Sequence, residues 1–159
     1  MKTNERLKLV IVAGKGNRSG VPRYVCNLYQ TLSHKYDLKV IADGNTGGFD
    51  FIPKKDLIII PGLASERSGV EKIKAFYGLL YHLRVADIVW AHSSFSILFS
   101  RIIKIFRKYK LVITYHGLPF GSGRPPLVSK IAFIIEFFTL RMVKHKIVII
   151  SKLDEMGIK

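Results

Sequence analysis

The segments ADIVWAHSSFS at residues 86–96 and KLVITYHGLPF at residues 110–120 decide the fold. Each contains a short apolar run of strand length that ends in a histidine, His92 in the first and His116 in the second. Continuous apolar runs of this length are typical of strands buried in a parallel sheet. Such sheets bind ligands at the carboxyl ends of their strands, so we expect both histidines to lie at a binding site.

Strand and helix patterns alternate along the rest of the chain. Apolar runs predict further strands at 7–13, 38–42, 57–60 and 146–150. Helical periodicity predicts helices that start near residues 21 and 94 and others at 70–84 and 127–144. Six alternations of strand and helix predict a Rossmann-like α/β fold, with a parallel sheet covered by helices on both faces. A length of 159 residues suits one such domain.

The first predicted strand ends in a glycine-rich turn at residues 14–20, which leads into a helix. Exposed N–H groups at a helix start form a site for anions. The pattern Gly14-x-Gly16-x-x-Ser19, with Asp43 after the second strand, also permits an NAD-binding Rossmann domain. However, Ser19 stands where that motif has Gly or Ala, and Asp43 lies farther along the chain than the usual ribose-binding acid.

The chain is strongly basic, because 26 Lys and Arg oppose 11 Asp and Glu for a formal charge of +15. This excess predicts an anionic partner. Three classes of partner fit: a membrane surface, a phosphorylated substrate and nucleic acid. A merely solvated basic surface is the simpler alternative. A non-catalytic membrane- or nucleic-acid-binding module is a further hypothesis, although the aromatic residues lie in predicted helices and offer no strand platform for base stacking.

Cysteine content and the first residues indicate a cytoplasmic protein. Cys26 is the only cysteine, so no internal disulfide is possible, and a reducing compartment is expected. The apolar run in MKTNERLKLVIVAG is short, and we interpret it as a strand instead of a signal peptide.

Four segments together resemble the N-terminal, acceptor-side domain of family-4-like glycosyltransferases of the GT-B type. They are SGVPRYVCNLYQTL at 19–32, ADIVWAHSS at 86–94, KLVITYHGLPF at 110–120 and KIVIISK at 146–152. The resemblance covers nearly the whole chain, residues 1–159 being one such domain. It implies a hexosyltransferase that moves a sugar from a nucleotide-sugar donor to a saccharide or lipid-linked acceptor, in surface polysaccharide or glycolipid synthesis.

In that family a second Rossmann-like domain binds the donor, and no counterpart of it is found between residues 1 and 159. We therefore expect half of a truncated or split enzyme, which binds substrates but is inactive without the donor domain or a partner chain. The resemblance implies no cofactor besides the donor substrate. It also implies retention of anomeric configuration without a protein nucleophile, and Glu66, Asp87 and Glu136 form no convincing catalytic pair.

The resemblance also assigns site residues. Ser19 and Gly20 occupy the small-residue position that approaches the donor diphosphate, although the family often has Gly in place of Ser19. Arg23 is placed to meet a phosphate or an acceptor carboxylate. His116, beside Gly117, matches the position that contacts the transferred sugar and is the catalytic candidate.

His92, Ser93 and Ser94 are expected to shape the acceptor pocket. Each of these assignments has a structural alternative, such as a tight turn, a solvated arginine or a histidine bonded to backbone. The two histidines lack a Cys or carboxylate at useful spacing, so no metal site is expected.

The helix within residues 94–108 is expected to contact an anionic membrane through its basic residues: Arg101, Lys104, Arg107 and Lys108. Packing of its apolar face on the sheet, with the basic face in water, is the alternative. For the helix after residue 127 we expect packing on the sheet, because Lys130, Glu136 and Arg141 interrupt its apolar run. The resulting localisation is cytoplasmic, peripheral to the inner face of the membrane.

Overall fold

Six short runs of the sequence form the strands of one sheet. The computed structural model, which describes residues 5–116 and 126–149, contains β1 (Lys8–Val12), β2 (Asp37–Ala42), β3 (Leu57–Ile59), β4 (Ile88–His92), β5 (Lys110–Tyr115) and β6 (Lys146–Ile149). The helices are α1 (Gly20–Leu32), α2 (Gly69–His82), α3 (Ser94–Phe106) and α4 (Pro126–Met142). A 3-10 turn, Leu83–Val85, extends α2.

All strand pairs are parallel, and the strand order is β3-β2-β1-β4-β5-β6. The order reverses between β1 and β4, so the chain segments that leave these strands diverge and open a crevice between them. The predicted single α/β domain with a Rossmann-like parallel sheet is confirmed, and the predicted strands lie within about two residues of the observed ones.

The alternation of strands and helices is less regular than predicted. No helix connects β2 to β3, and residues 43–56 form turns and bends instead. Gly44, Asn45, Gly47, Gly48 and Pro53 make this segment unsuited to a helix. Phe49 and Ile52 from the segment are buried against the sheet in place of a helix face.

Helices cover both faces of the sheet. Val25 and Cys26 of α1 pack on one face with Leu9 and Ile11 of β1. Alternate residues of the same strand, Val10 and Val12, point to the other face, where they meet α2 and α3. Burial on both faces explains why β1 is apolar without alternation.

The orientation of α3 removes Arg101 from the predicted membrane contact, whereas Arg107 and Lys108 are exposed. Arg101 is 1% exposed and forms an ion pair with Glu136 of α4, so it cannot contact a membrane. The Lys104 ammonium group donates to the Tyr109 carbonyl and is only partly exposed. Phe106 is 72% exposed, although its spacing places it on the apolar side of the helix. Arg101 faces α4 instead of solvent because this side of α3 packs against that helix. Periodicity within α3 does not reveal such a contact.

Candidate functional site

A cavity of about 440 Å³ opens at the carboxyl edge of the sheet, where the strand order reverses. Residues that follow β1 and β4 and those at the end of β5 form its walls, and Leu63 and Ser65 from the loop after β3 contribute one side. Open α/β sheets bind their ligands in such crevices. This cavity is therefore the candidate functional site.

Two helices begin at this cavity without side-chain caps. Ser19 precedes α1 and Ser93 precedes α3, yet neither side chain accepts a hydrogen bond from its helix, and neither first turn contains an acid. In α2, by contrast, Ser68 and Glu71 form a complete capping box. Uncapped N–H groups and the positive ends of two helix dipoles suit the cavity to an anionic group.

The first glycine-rich loop packs against protein. A Cβ atom on Gly16 would lie 1.8 Å from the carbonyl oxygen of Gly44, so the loops after β1 and β2 are in direct backbone contact. The Gly16 carbonyl also accepts hydrogen bonds from the amides of Thr46 and Gly48, both at 2.9 Å. In a dinucleotide-binding turn, the second glycine lets the backbone approach a pyrophosphate. Here the loop after β2 fills the space beside Gly16 that a pyrophosphate would need.

Asp43, which would bind the ribose in the NAD hypothesis, is bonded to other parts of the protein. Its Oδ1 accepts hydrogen bonds from the amides of Gly62 (2.7 Å), Leu63 (2.9 Å) and Ala64 (3.2 Å), and its Oδ2 accepts one from Arg67 (2.7 Å). Burial opposes ionisation of this carboxyl, but Arg67 and these amides outweigh burial and lower its pKa. Asp43 therefore anchors the loop after β3, and the structure disfavours an NAD site.

His92 and His116 meet at the ends of β4 and β5. Nδ1 of His92 lies 3.0 Å from Nε2 of His116, which is hydrogen-bond distance. His92 is fully buried, whereas His116 is exposed and lines the cavity. The ring of Tyr24 packs edge-on against both imidazoles, with centroid distances of 5.6 and 5.4 Å. The expectation that both histidines lie at one edge of the sheet is confirmed, and their direct contact is an additional finding.

Burial controls the charge of this pair. It lowers the pKa of His92 to about 3, with a smaller effect from the neighbouring His116. Partial burial also lowers the pKa of His116 below its ordinary value. Both rings are therefore neutral at pH 7, and the pair acts through hydrogen bonds instead of positive charge.

The turn between β4 and α3 contains a strained residue. Ser93 has φ 73° and ψ 153°, a conformation that residues with side chains rarely adopt. Its hydroxyl donates to Ser96 (3.0 Å), whose hydroxyl donates to the Ala13 carbonyl (3.0 Å). A Cβ atom on Gly14 would lie 2.8 Å from Oγ of Ser93. These contacts hold the start of α3 close to the end of β1 at the cavity wall.

The structure brings most of the predicted site residues to this region. Four of them line the cavity: Ser19, Ser93, Ser94 and His116. Gly20 and Arg23, together with Ser19, line a second cavity of about 710 Å³ beside the first turns of α1. His92 does not line the cavity but contacts His116, which does. Gly117 lies outside the described residues.

Sequence reasoning missed several residues of the site. Lys15, Asn17 and Ser65 line the cavity, and the Lys15 ammonium pairs with the Glu66 carboxylate at 2.8 Å. Helical periodicity places Tyr24 on the apolar face of α1, where its ring contacts both histidines. The available signal was the position of Lys15 and Asn17 in the same turn as Ser19. Across residues 5–116 and 126–149, no group of three or more His, Cys, Asp or Glu could hold a metal ion.

The family model of Glycosyltransferase Family 4 matches residues 18–153. This range contains all four sequence segments that carried the resemblance. No curated protein sequence matches the chain. The match begins just before Ser19 of the cavity wall and ends beyond β6.

Solved structures share the fold at low sequence identity. HepE from Anabaena in complex with UDP-glucose matches with a TM-score of 0.64 and 8% identity, over 96% of this chain and 49% of that one. HepE with UDP and glucose matches with a TM-score of 0.61 and 8% identity, over 82% and 35% of the two chains. A Listeria monocytogenes protein described as a UDP-N-acetylglucosamine 2-epimerase gives 0.55 and 13%, over 82% and 38%. The chain therefore spans half or less of the length of these structures.

Proposed function

Because the chain belongs to Glycosyltransferase Family 4, we propose that it forms the acceptor-side half of a glycosyltransferase that uses a nucleotide-sugar donor. A second Rossmann-like domain, in the same or another chain, holds the nucleotide in this proposal. The acceptor is a saccharide or a lipid-linked saccharide of surface polysaccharide or glycolipid synthesis. The main support is the cavity at which two uncapped helix starts meet His116.

The helix starts are suited to the phosphates of the donor. Ser19 and Ser94 lie at the starts of α1 and α3 and line the cavity, where backbone N–H groups donate to phosphate oxygens. The absence of acids from both first turns avoids repulsion of a diphosphate. Lys15 on the same wall adds a positive charge, which is partly balanced by Glu66.

His116 is suited to the sugar. A neutral imidazole exchanges hydrogen bonds with hydroxyl groups and does not need a charged partner. In the proposed reaction His116 orients the transferred sugar at the edge of the cleft, while Ser93 and Ser94 contact the acceptor. Gly20 and Arg23 border the adjacent cavity, which extends the surface on which an acceptor with anionic groups binds.

This half supplies no carboxylate pair for acid–base or nucleophilic work. Within the part of the chain that the structure describes, no Asp or Glu lines the cavity. Glu66 pairs with Lys15, Asp87 accepts a hydrogen bond from the amide of Lys8, and Glu136 pairs with Arg101. Retention of configuration without a protein nucleophile, which the family resemblance implies, is consistent with these residues.

A Ser94→Glu substitution tests the anion site. A carboxylate in the first turn of α3 favours the helix dipole, so we expect unchanged or slightly higher stability, by about 0.3–1 kcal/mol. The same carboxylate repels phosphate, so we expect binding of UDP-glucose or pyrophosphate to weaken at least about tenfold. Nitrogen-15 amide spectra of the chain, titrated with either ligand, measure both the affinity and the binding position.

Val70→Glu is the matched control, because it puts a carboxylate into the first turn of α2, whose residues do not line the cavity. We expect this variant to bind both ligands as the natural chain does. In the natural chain the shifted amides are expected near Ser19 and Ser94. Equal weakening by both variants, or shifts confined to another region, would contradict the proposed site.

We propose that the membrane contact of this domain is made by α4 instead of α3. Leu127, Ile134, Phe138 and Met142 are 45–69% exposed, and Ile134, Phe138 and Met142 follow one another at four-residue spacing. The exposed Lys130, Arg141 and Lys144 add positive charge. These described side chains do not follow the expectation that the helix packs its apolar residues on the sheet.

Of the exposed apolar residues of α4, Leu127 lies in its first turn, whereas Phe138 and Met142 lie near its end, as Phe106 does in α3. The choice of α4 therefore rests on the number of its exposed apolar residues and on its exposed positive charges. Within residues 5–116 and 126–149, no helix is long and apolar enough to cross the bilayer.

Vesicle sedimentation tests which of the two helices, α3 or α4, contacts the membrane. Phe138→Ser is expected to weaken binding to vesicles with anionic lipid about tenfold, because it removes the burial of one aromatic side chain. Phe106→Ser, at a comparably exposed position of α3, is expected to have little effect. If only Phe106→Ser weakens binding, the contact belongs to α3. If neither variant does, the proposed contact of α4 with lipid is wrong.

A further inference from the structure

The hydrogen bond between the two histidines joins an interior ring to a ring at the cavity. His92 is the last residue of β4, and its register partner Thr114 lies two residues before His116. Parallel pairing of β4 and β5 therefore fixes the distance between the two side chains. His116 lines the cavity, while His92 lies behind it and is shielded from solvent.

Aromatic residues hold the buried ring. Trp90 stacks on His92 with a centroid distance of 5.9 Å and an angle of 19° between the planes. The Trp90 indole N–H donates to Oγ1 of Thr114 at 2.8 Å, which fixes the stacking ring. Tyr24 packs on the edges of both histidines. In the described part of the chain, no ion pair or hydrogen bond links a carboxylate to either imidazole.

The position of the proton follows from hydrogen bonding. A bond between two neutral imidazoles needs one N–H group and one lone pair. Among the described residues, Nε2 of His92 is buried and has no hydrogen-bond partner. Buried N–H donors without partners are rarer than buried acceptors without partners. The proton of His92 therefore belongs on Nδ1, from which it is donated to Nε2 of His116.

This arrangement determines which nitrogen of His116 is available. Because Nε2 of His116 accepts the bond from His92, the proton of neutral His116 lies on Nδ1. A carboxylate in the place of His92 would favour the charged form of His116 and would raise its pKa. A buried neutral histidine has no such effect and selects only the tautomer and the orientation of the ring.

We propose that His92 is a positioning residue, which holds the His116 ring with its proton on Nδ1 so that the cavity presents an imidazole N–H donor to an oxygen of the sugar nucleotide. The oxygen belongs to a sugar hydroxyl or to a phosphate, since both accept such a bond. This inference rests on the proposed function for the identity of the ligand. The tautomer itself is a property of the free protein.

The first test is the tautomer in the natural chain. Nitrogen-15 spectra of the histidine side chains distinguish protonated from unprotonated ring nitrogens, and substitution of each of the five histidines in turn assigns the signals. We expect protonated Nδ1 and unprotonated Nε2 for both His92 and His116 at pH 7. A proton on Nε2 of either residue would overturn the proposal.

Two substitutions of His92 test its role. In His92→Phe, Nε2 of His116 loses its partner, so we expect the His116 signals to move toward a mixture of both tautomers. In His92→Asn, the side-chain amide donates from nearly the position of Nδ1, so we expect the Nδ1 tautomer of His116 to be kept. An unchanged His116 tautomer in folded His92→Phe would overturn the proposal. If His92→Phe does not fold, the natural chain and His92→Asn decide the question.

Ligand binding separates this proposal from the proposed function. Loss of one hydrogen bond to a neutral donor corresponds to about 1 kcal/mol, so His92→Phe is expected to weaken UDP-glucose binding about fivefold, and His92→Asn much less. Equal affinities for folded His92→Phe and the natural chain would contradict a positioning role. Absence of UDP-glucose binding in the natural chain, with the Nδ1 tautomer present, would contradict the anion site of the proposed function and leave the role of His92 in ordering His116 supported.

Discussion

Glu136→Ala is expected to destabilise the protein by about 3–5 kcal/mol, because it leaves the buried Arg101 without its counter-charge. Arg101 is 1% exposed and pairs with Glu136 through Nη1. Nη2 of Arg101 donates to the Tyr115 hydroxyl (2.7 Å), which in turn donates to Oε2 of Glu136 (2.7 Å). Burial, together with Glu136, raises the pKa of Tyr115, so the hydroxyl keeps its proton and remains a donor.

The loss would be large for a domain of this size, since such proteins are stabilised by about 5–15 kcal/mol in total. Urea unfolding monitored by circular dichroism gives the free energy of unfolding. The double variant Arg101→Met with Glu136→Leu removes both charges and is expected to recover at least half of the loss. A cost below about 1 kcal/mol for Glu136→Ala would show that the pair is hydrated in solution.

Gly16→Ala is expected to cost about 3 kcal/mol or more. The added Cβ atom would lie 1.8 Å from the carbonyl oxygen of Gly44 and 2.8 Å from Cα of Asn45, so it meets backbone that cannot rotate away. Separating the two loops would also break the bonds from Thr46 and Gly48 to the Gly16 carbonyl. Thermal and urea unfolding measure the loss.

Gly44→Ala is the matched control, because it lies across the same contact. A Cβ atom on Gly44 would have no neighbour within 4 Å, so this variant is expected to stay within about 0.5 kcal/mol of the natural chain. Similar losses for the two variants would show that glycine flexibility matters here, and not the close approach of the loops. That result would reopen the first loop as a site for ligand phosphates.

Much of the fold was predictable because each strand is a buried apolar run with turn-forming residues after it. The strands β1, β4 and β5 illustrate this, since they are apolar enough to identify without knowledge of their neighbours. The link from β2 to β3 departs from the alternation of strands and helices. Its glycines and Pro53 signal turns, and no helix is predicted between residues 42 and 57.

The faces of the helices were harder to predict. Arg101 was grouped with Lys104 and Lys108 by helical spacing, yet it packs against Glu136, 35 residues away. Glu136 is the only acid between Asp87 and Asp154, which is a sequence signal for a buried charge partner. Periodicity within one helix separates apolar from polar positions, but it does not identify a charged residue that is buried against another helix.

Local sequence patterns are sufficient to predict the parallel α/β fold, the family, and the edge of the sheet at which His92, His116 and the starts of α1 and α3 lie. These follow from local patterns, since a strand that ends in a polar turn places its next residues at the carboxyl edge. Tertiary structure alone decided that Gly16 packs on Gly44, that Asp43 anchors a loop, that Arg101 is buried and that the two histidines share a hydrogen bond. Each of these contacts joins residues distant in sequence, and their geometry depends on strand register and helix packing.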